Sequence, residues 1–256
     1  MRGYSGVYAG VLGITMLLAA MPARAAEAAP PAYVTAAIND PARAADKVTD
    51  ALRHGAEVIA FSRVKPGDTI VELIPGNGYF TRVFSKIVGP QGHVYALWPN
   101  EYAGEAAANV AGMRKMAASA EYANVEVVVQ PAADFKMPKP LDVVFTSQNF
   151  HDYPDKFMAP ANPLVFSKQV FAALKMGGVF IVIDHVAEAG SGLRDTDTLH
   201  RIDPAKVKEI AAAAGFRFDG ETDILRNPAD DHKKSVFDPA IRRHTDQFAY
   251  RFGKPN

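Results

Sequence analysis

Thr69-Ile70-Val71-Glu72-Leu73-Ile74-Pro75-Gly76-Asn77-Gly78-Tyr79-Phe80-Thr81 is an apolar run that reaches an acid, turns through Gly-x-Gly and opens into a helix-compatible segment. A strand–loop–helix passage of this kind sets its loop at the mouth of a parallel sheet, where nucleotide-like ligands bind. Gly76 and Gly78 remove side chains where a ligand approaches the backbone, and the following helix offers free N–H groups. Glu72 separates this loop from a phosphate cradle, because a carboxylate suits a cationic or hydroxyl-rich ligand. Alone, the stretch also reads as a plain tight turn. The order of the flanking elements decides between the two.

Downstream, strands and helices alternate. Strands are expected over residues 69–74, 93–98, 125–130, 141–147 and 179–185, with helices over 79–88, 101–120 and 163–174. Asp203-Pro204 caps a further helix to about residue 214, and 216–225 and 248–252 read as two last strands. The central strands are continuous apolar runs, as in a sheet covered on both faces. The alternation predicts an α/β fold, a doubly wound, mostly parallel seven-stranded sheet with helices on both sides. Upstream, Val48, Leu52, Ala56 and Ile59 recur at helical spacing from Asp40 onward. Residues 26–39 read as an Ala/Pro-rich linker, and 40–256 as a single domain without internal repeats.

Residues 1–25 read as a secretory signal peptide: Arg2, an apolar run from Val7 to Ala20, and Ala23-Arg24-Ala25 as the cleavage site. The expected location is periplasmic or secreted, with no stable membrane span after cleavage. Acids and bases balance at 28 each, so composition points to no nucleic-acid partner. The absence of cysteine excludes disulfides, thiolate catalysis and iron–sulfur clusters.

With these elements in place, the chain resembles the class I S-adenosylmethionine-dependent methyltransferases, and more narrowly a group of exported bacterial predicted methyltransferases. The resemblance rests on Val64-Lys65-Pro66-Gly67-Asp68-Thr69, Pro75-Gly76-Asn77-Gly78-Tyr79, Asn149-Phe150-His151-Asp152-Tyr153, Leu199-His200-Arg201-Ile202-Asp203 and residues 225–232. It implies a Rossmann-like sheet whose last strand is antiparallel beside the fifth, and S-adenosylmethionine as cofactor. It implies cofactor contacts from Glu72, Pro75, Gly76, Gly78, Trp98, Asp134 and Asn149, with Glu72 holding the amino group. Two positions depart from the family pattern. Ile74 stands where the family's first glycine belongs, and Trp98 where an acid usually holds the ribose. Glu101 swinging in, Trp98 stacking on the adenine, and Trp98 plugging a disused site all remain open.

The other polar residues fall at the expected carboxyl edge of the sheet. His151 is a candidate general base, with Asp152 and Tyr153 as catalytic partners. His185, His200, Arg226, Asn227 and His232 are candidate substrate contacts. Arg242 and Arg243, in a short helix expected after Asp238, either hold an anionic substrate or pair with acids. His151, His185, His200 and His232 form a pool with nearby carboxylates, but no pair has a recognised ligand spacing, and no metal is assigned. The leading expectation is methyl transfer to a small-molecule acceptor in the cell envelope. The alternative is a ligand-binding or scaffold protein that kept the fold and lost the chemistry.

Overall fold

The computed structural model describes Met1 and residues 29–255. The segment read as a signal peptide lies outside the described residues.

Seven strands form one sheet: β1 Thr69–Leu73, β2 His93–Pro99, β3 Val125–Gln130, β4 Leu141–Ser147, β5 Leu174–His185, β6 Arg217–Thr222 and β7 Gln247–Gly253. Their order is β3-β2-β1-β4-β5-β7-β6. β1 to β5 pair in parallel, and β7 runs antiparallel between β5 and β6. The helices are α1 Ala32–Ile38, α2 Lys47–Arg53, α3 Gly55–Ser62, α4 Tyr79–Val88, α5 Asn100–Ala103, α6 Ala107–Ala117, α7 Pro163–Ala173, α8 Thr196–Leu199 and α9 Pro204–Ala213.

Alternation along each strand sends side chains to two separate cores. Ile70, Val94, Ala96, Trp98, Ile181 and Ile183 join one core with α1, α3, α4 and α6. Val71, Leu73, Leu97, Phe180 and Val182 join the other with α7 and α9. The strand order reverses between β1 and β4, and that switch point leaves a crevice at the strands' carboxyl ends. The loops after β1 and β4 therefore share one mouth.

Four local expectations change. The segment expected as a linker contains α1, whose Val34, Ala37 and Ile38 are buried. The helix expected from Asp40 breaks at His54, which is left-handed (φ 46°), so Val48 and Leu52 face solvent while Val58 and Ile59 are buried. The helix expected over 101–120 is two, α5 and α6. Residues 238–243 are turns held by Asp238, whose carboxylate accepts from the Ala240 N–H.

Candidate active site

Glu72 points from β1 toward α4. It is 3 % exposed and accepts a 2.5 Å hydrogen bond from the Thr81 hydroxyl on that helix. Burial pushes its carboxyl up to about 8, against the opposing Thr81 bond and the charges of Arg53 and Arg82. The loop beyond it holds Ile74, Gly76 and Gly78 at positive φ (48°, 55° and 77°). Ile74 thus takes a backbone conformation that costs a β-branched residue about 1–2 kcal/mol. It is fixed there by its N–H donating to the Leu97 carbonyl at 2.7 Å. A Cβ on Gly78 would meet Met113 Cε at 2.6 Å, whereas one on Gly76 would meet open space. Pro75 is buried, and its carbonyl accepts from the Gly78 N–H. The Asn149 amide donates to the Ser147 carbonyl at 2.6 Å and the Ile74 carbonyl at 3.4 Å, tying the end of β4 to this loop.

The ribose and adenine side is built differently from the family pattern. Trp98 is fully buried in the core, its indole N–H without a hydrogen-bond partner. Glu101 accepts from the Ala132 N–H at 3.0 Å, which engages that carboxylate with the loop after β3. Asp134 is exposed and paired with Lys136 at 2.7 Å.

Two cavities adjoin over the sheet edge, sharing Gln148, His185, Val236 and Phe237 in their walls. The first, about 370 Å³, reaches Asn77 and Phe80 and is bordered by Arg53, Arg242 and Arg243. The second, about 530 Å³, reaches His151, Asp152, His200 and Tyr102. His151 sits in a single 3₁₀ turn, Phe150–Asp152. Its Nδ1 lies 2.7 Å from Asp184 Oδ1 and its Nε2 3.2 Å from Asp152 Oδ1. Burial draws the imidazolium down, but the Asp184 charge and the bonds to both carboxylates outweigh it and push it up to about 10. With both ring nitrogens facing carboxylates, neither is free to take a proton from an acceptor, so the general-base role expected of His151 does not suit this geometry. His185 is the opposite case: burial pulls it down to about 4 against the pull of Asp184, and its Nδ1 is 2.8 Å from the Thr245 hydroxyl.

The structure brings His151, Asp152, His185 and His200 together around the cavities and leaves other candidates elsewhere. Tyr153 is fully buried, stacked on Phe166 at 4.0 Å between ring centroids, and belongs to the core rather than the catalytic cleft. Arg226, Asn227 and His232 all bond to Asp246: the Arg226 guanidinium at 2.8 and 2.9 Å, the Asn227 N–H at 2.7 Å and His232 Nε2 at 3.0 Å. They hold the loop before β7 and line neither cavity. The sequence sets Asp184 with His185 at the end of the fifth strand on this edge, but its pairing with His151 is legible only in the structure.

A family model described as "Methyltransferase domain" matches residues 64–215. A curated Arabidopsis thaliana protein named "Putative rRNA 2'-O-methyltransferase fibrillarin 3" is 28% identical over 193 residues. The match covers 67% of this chain and 59% of the length of that relative. The crystal structure of a SAM dependent methyltransferase from Aquifex aeolicus superposes with a TM-score of 0.51 at 20% identity, covering 84% of this chain and 94% of the other. That of the [4+2]-cyclase SpnF superposes at 0.58 with 16% identity, covering 83% and 82%. At such identities these likenesses speak to the fold. The family match spans more than half of the sequence and includes the Glu72 loop, the β1/β4 crevice and the His151 turn: the chain belongs to the methyltransferase domain family.

Proposed function

We propose that the protein transfers a methyl group from S-adenosylmethionine to a small-molecule acceptor, in the cell envelope. The observation that carries the reading is the buried Glu72 carboxylate beside a positive-φ glycine loop at the β1/β4 switch point. The methionine end of the donor would meet this loop where Asn77 opens on the first cavity, with Glu72 buried behind the loop and in neither cavity wall. Glu72 would hold its amino group, the backbone of 76–78 would pass beneath it, and Arg53, beside Asn77 in the first cavity, would take its carboxylate. The ribose end finds no free carboxylate, since Trp98 fills that position and Glu101 is engaged. When bound, the donor supplies an already activated methyl group, so the protein's task is alignment and exclusion of water. His185 lines both cavities and is held by Thr245, which places it, as a neutral imidazole, to contact the acceptor.

Cavities of this size suit a small molecule, and a chain without net positive charge lacks the field that polyphosphate backbones require. The apolar run of residues 7–20 and Ala23-Arg24-Ala25 support export; recovery of a chain beginning at Ala26 from the periplasm tests it. Glu72→Gln should abolish S-adenosylmethionine binding in calorimetry, whereas His185→Ala should keep the affinity and lower turnover at least tenfold. Retained affinity in Glu72→Gln would refute the loop assignment. The buried Trp98 favours a second reading, a family member reused to bind another ligand. That protein would bind neither S-adenosylmethionine nor its demethylated product.

A further inference from the structure

The 3₁₀ turn after β4 and the end of α8 bring together three donor atoms that methyl transfer does not itself require. Nε2 of His151 lies 3.2 Å from Asp152 Oδ1, and Nδ1 of His200 lies 4.0 Å from the same oxygen. The three ligand atoms all fall within 4.8 Å of one another. We propose that His151, Asp152 and His200 are the protein ligands of one divalent transition-metal ion of the zinc type, open to the 530 Å³ cavity.

Three observations support the site. First, tetrahedral metal–nitrogen and metal–oxygen bonds set neighbouring donors ~3.3 Å apart; the His151–Asp152 pair is already there, and the half-buried His200 ring, 4.0 Å from Asp152, has to close toward both. Second, Asp184 accepts from the His151 backbone N–H at 2.9 Å and sits 2.7 Å from Nδ1. A carboxylate behind a histidine in this way keeps the proton on the rear nitrogen, so an ion entering between His151 and Asp152 would displace only the proton on Nε2. Third, Asp152 and Asp184 are both buried beside this point, and a dication placed here would balance both carboxylates. His200 itself caps the C-terminus of α8 in the left-handed conformation, φ 54°. The fully buried Arg201 beside it anchors this turn, donating to the Val186 and Lys234 carbonyls and to Asp230.

Two imidazoles and one carboxylate leave coordination positions open, the arrangement of a reactive rather than a structural site. If methyl transfer is the reaction, as proposed above, an acceptor hydroxyl bound at the open position would be fixed in place and would lose its proton more readily. The ion itself does not depend on that reading.

Chelator-stripped, untagged chain should be titrated with Zn²⁺ in calorimetry, and with Co²⁺ in visible absorption. One ion per chain is expected with micromolar or tighter affinity, together with a Co²⁺ spectrum of nitrogen and oxygen ligation. His200→Ala, at a half-exposed side chain, should weaken binding at least tenfold, while His232→Ala should leave it unchanged. Asp152→Asn should also weaken it, with folding checked by thermal unfolding. Absence of stoichiometric binding at millimolar ion would overturn the proposal and leave a plain His–Asp ion-pair network. Binding that His200→Ala leaves unchanged would overturn it equally. S-adenosylmethionine binding, measured separately, reports on methyl transfer and not on the ion.

Discussion

At the scale of single residues, Glu72 ties stability to the proposed binding of the donor. Its carboxyl titrates near 8 in the folded protein against an ordinary value of 4.5. The folded chain therefore keeps a proton that the unfolded chain gives up. The stability that this group contributes is fully present below 4.5, falls as pH rises, and is lost above about 8. Glu72→Gln should flatten that slope in thermal unfolding. A cationic ligand acts on the same group with the opposite sign, since pairing with an ammonium requires the carboxylate. Affinity for S-adenosylmethionine should rise with pH until about 8 and then plateau, and calorimetry across that range checks it. The place of Glu72 at the end of β1 beside the loop was legible because an acid next to Gly-x-Gly is chemically conspicuous. The placements of Tyr153, Arg226 and His232 were not, because spacing says nothing of distant partners. Tyr153 found Phe166, and the other two found Asp246, 20 and 14 residues further on.

At the scale of elements, the glycine loop packs against α6. Gly78→Ala should destabilise by ~1–3 kcal/mol, combining positive φ with the collision against Met113 on α6. Gly76→Ala meets no atoms and should cost only ~1–2 kcal/mol. Met113→Ala should relieve the first variant in part and the second not at all, which denaturant unfolding can separate. The turn after α8 is held by Arg201 and Asp230, whose side chains are both fully buried. Arg201→Met should cost ~3–5 kcal/mol by leaving Asp230 unpaired. The central strands were legible because each is an apolar run between turn residues, whereas the polar β6 at the sheet edge is not such a run. The break between α2 and α3 was not, because the left-handed His54 leaves no mark in apolar periodicity.

At the scale of the whole molecule, the family match begins at residue 64, but the folded unit does not. Val34, Ala37, Ile38, Val58 and Ile59 bury against the same core as α4. At ~1.5–3 kcal/mol for each larger apolar side chain, that contribution approaches the ~5–15 kcal/mol stability of a typical domain. A chain beginning at Val64 should lose cooperative unfolding in calorimetry. The sheet order followed from alternating strands and helices together with the family resemblance, and the structure has it, antiparallel β7 included. The N-terminal helices were only partly legible because their composition resembles that of a linker. The most direct measurement is titration of the chain from Ala26 with S-adenosylmethionine and S-adenosylhomocysteine by calorimetry. Micromolar binding of both, lost in Glu72→Gln, is the expected result, with Trp98 accommodated in the core beside the ligand. Absence of binding at millimolar ligand would contradict methyl transfer and leave a methyltransferase fold serving another ligand.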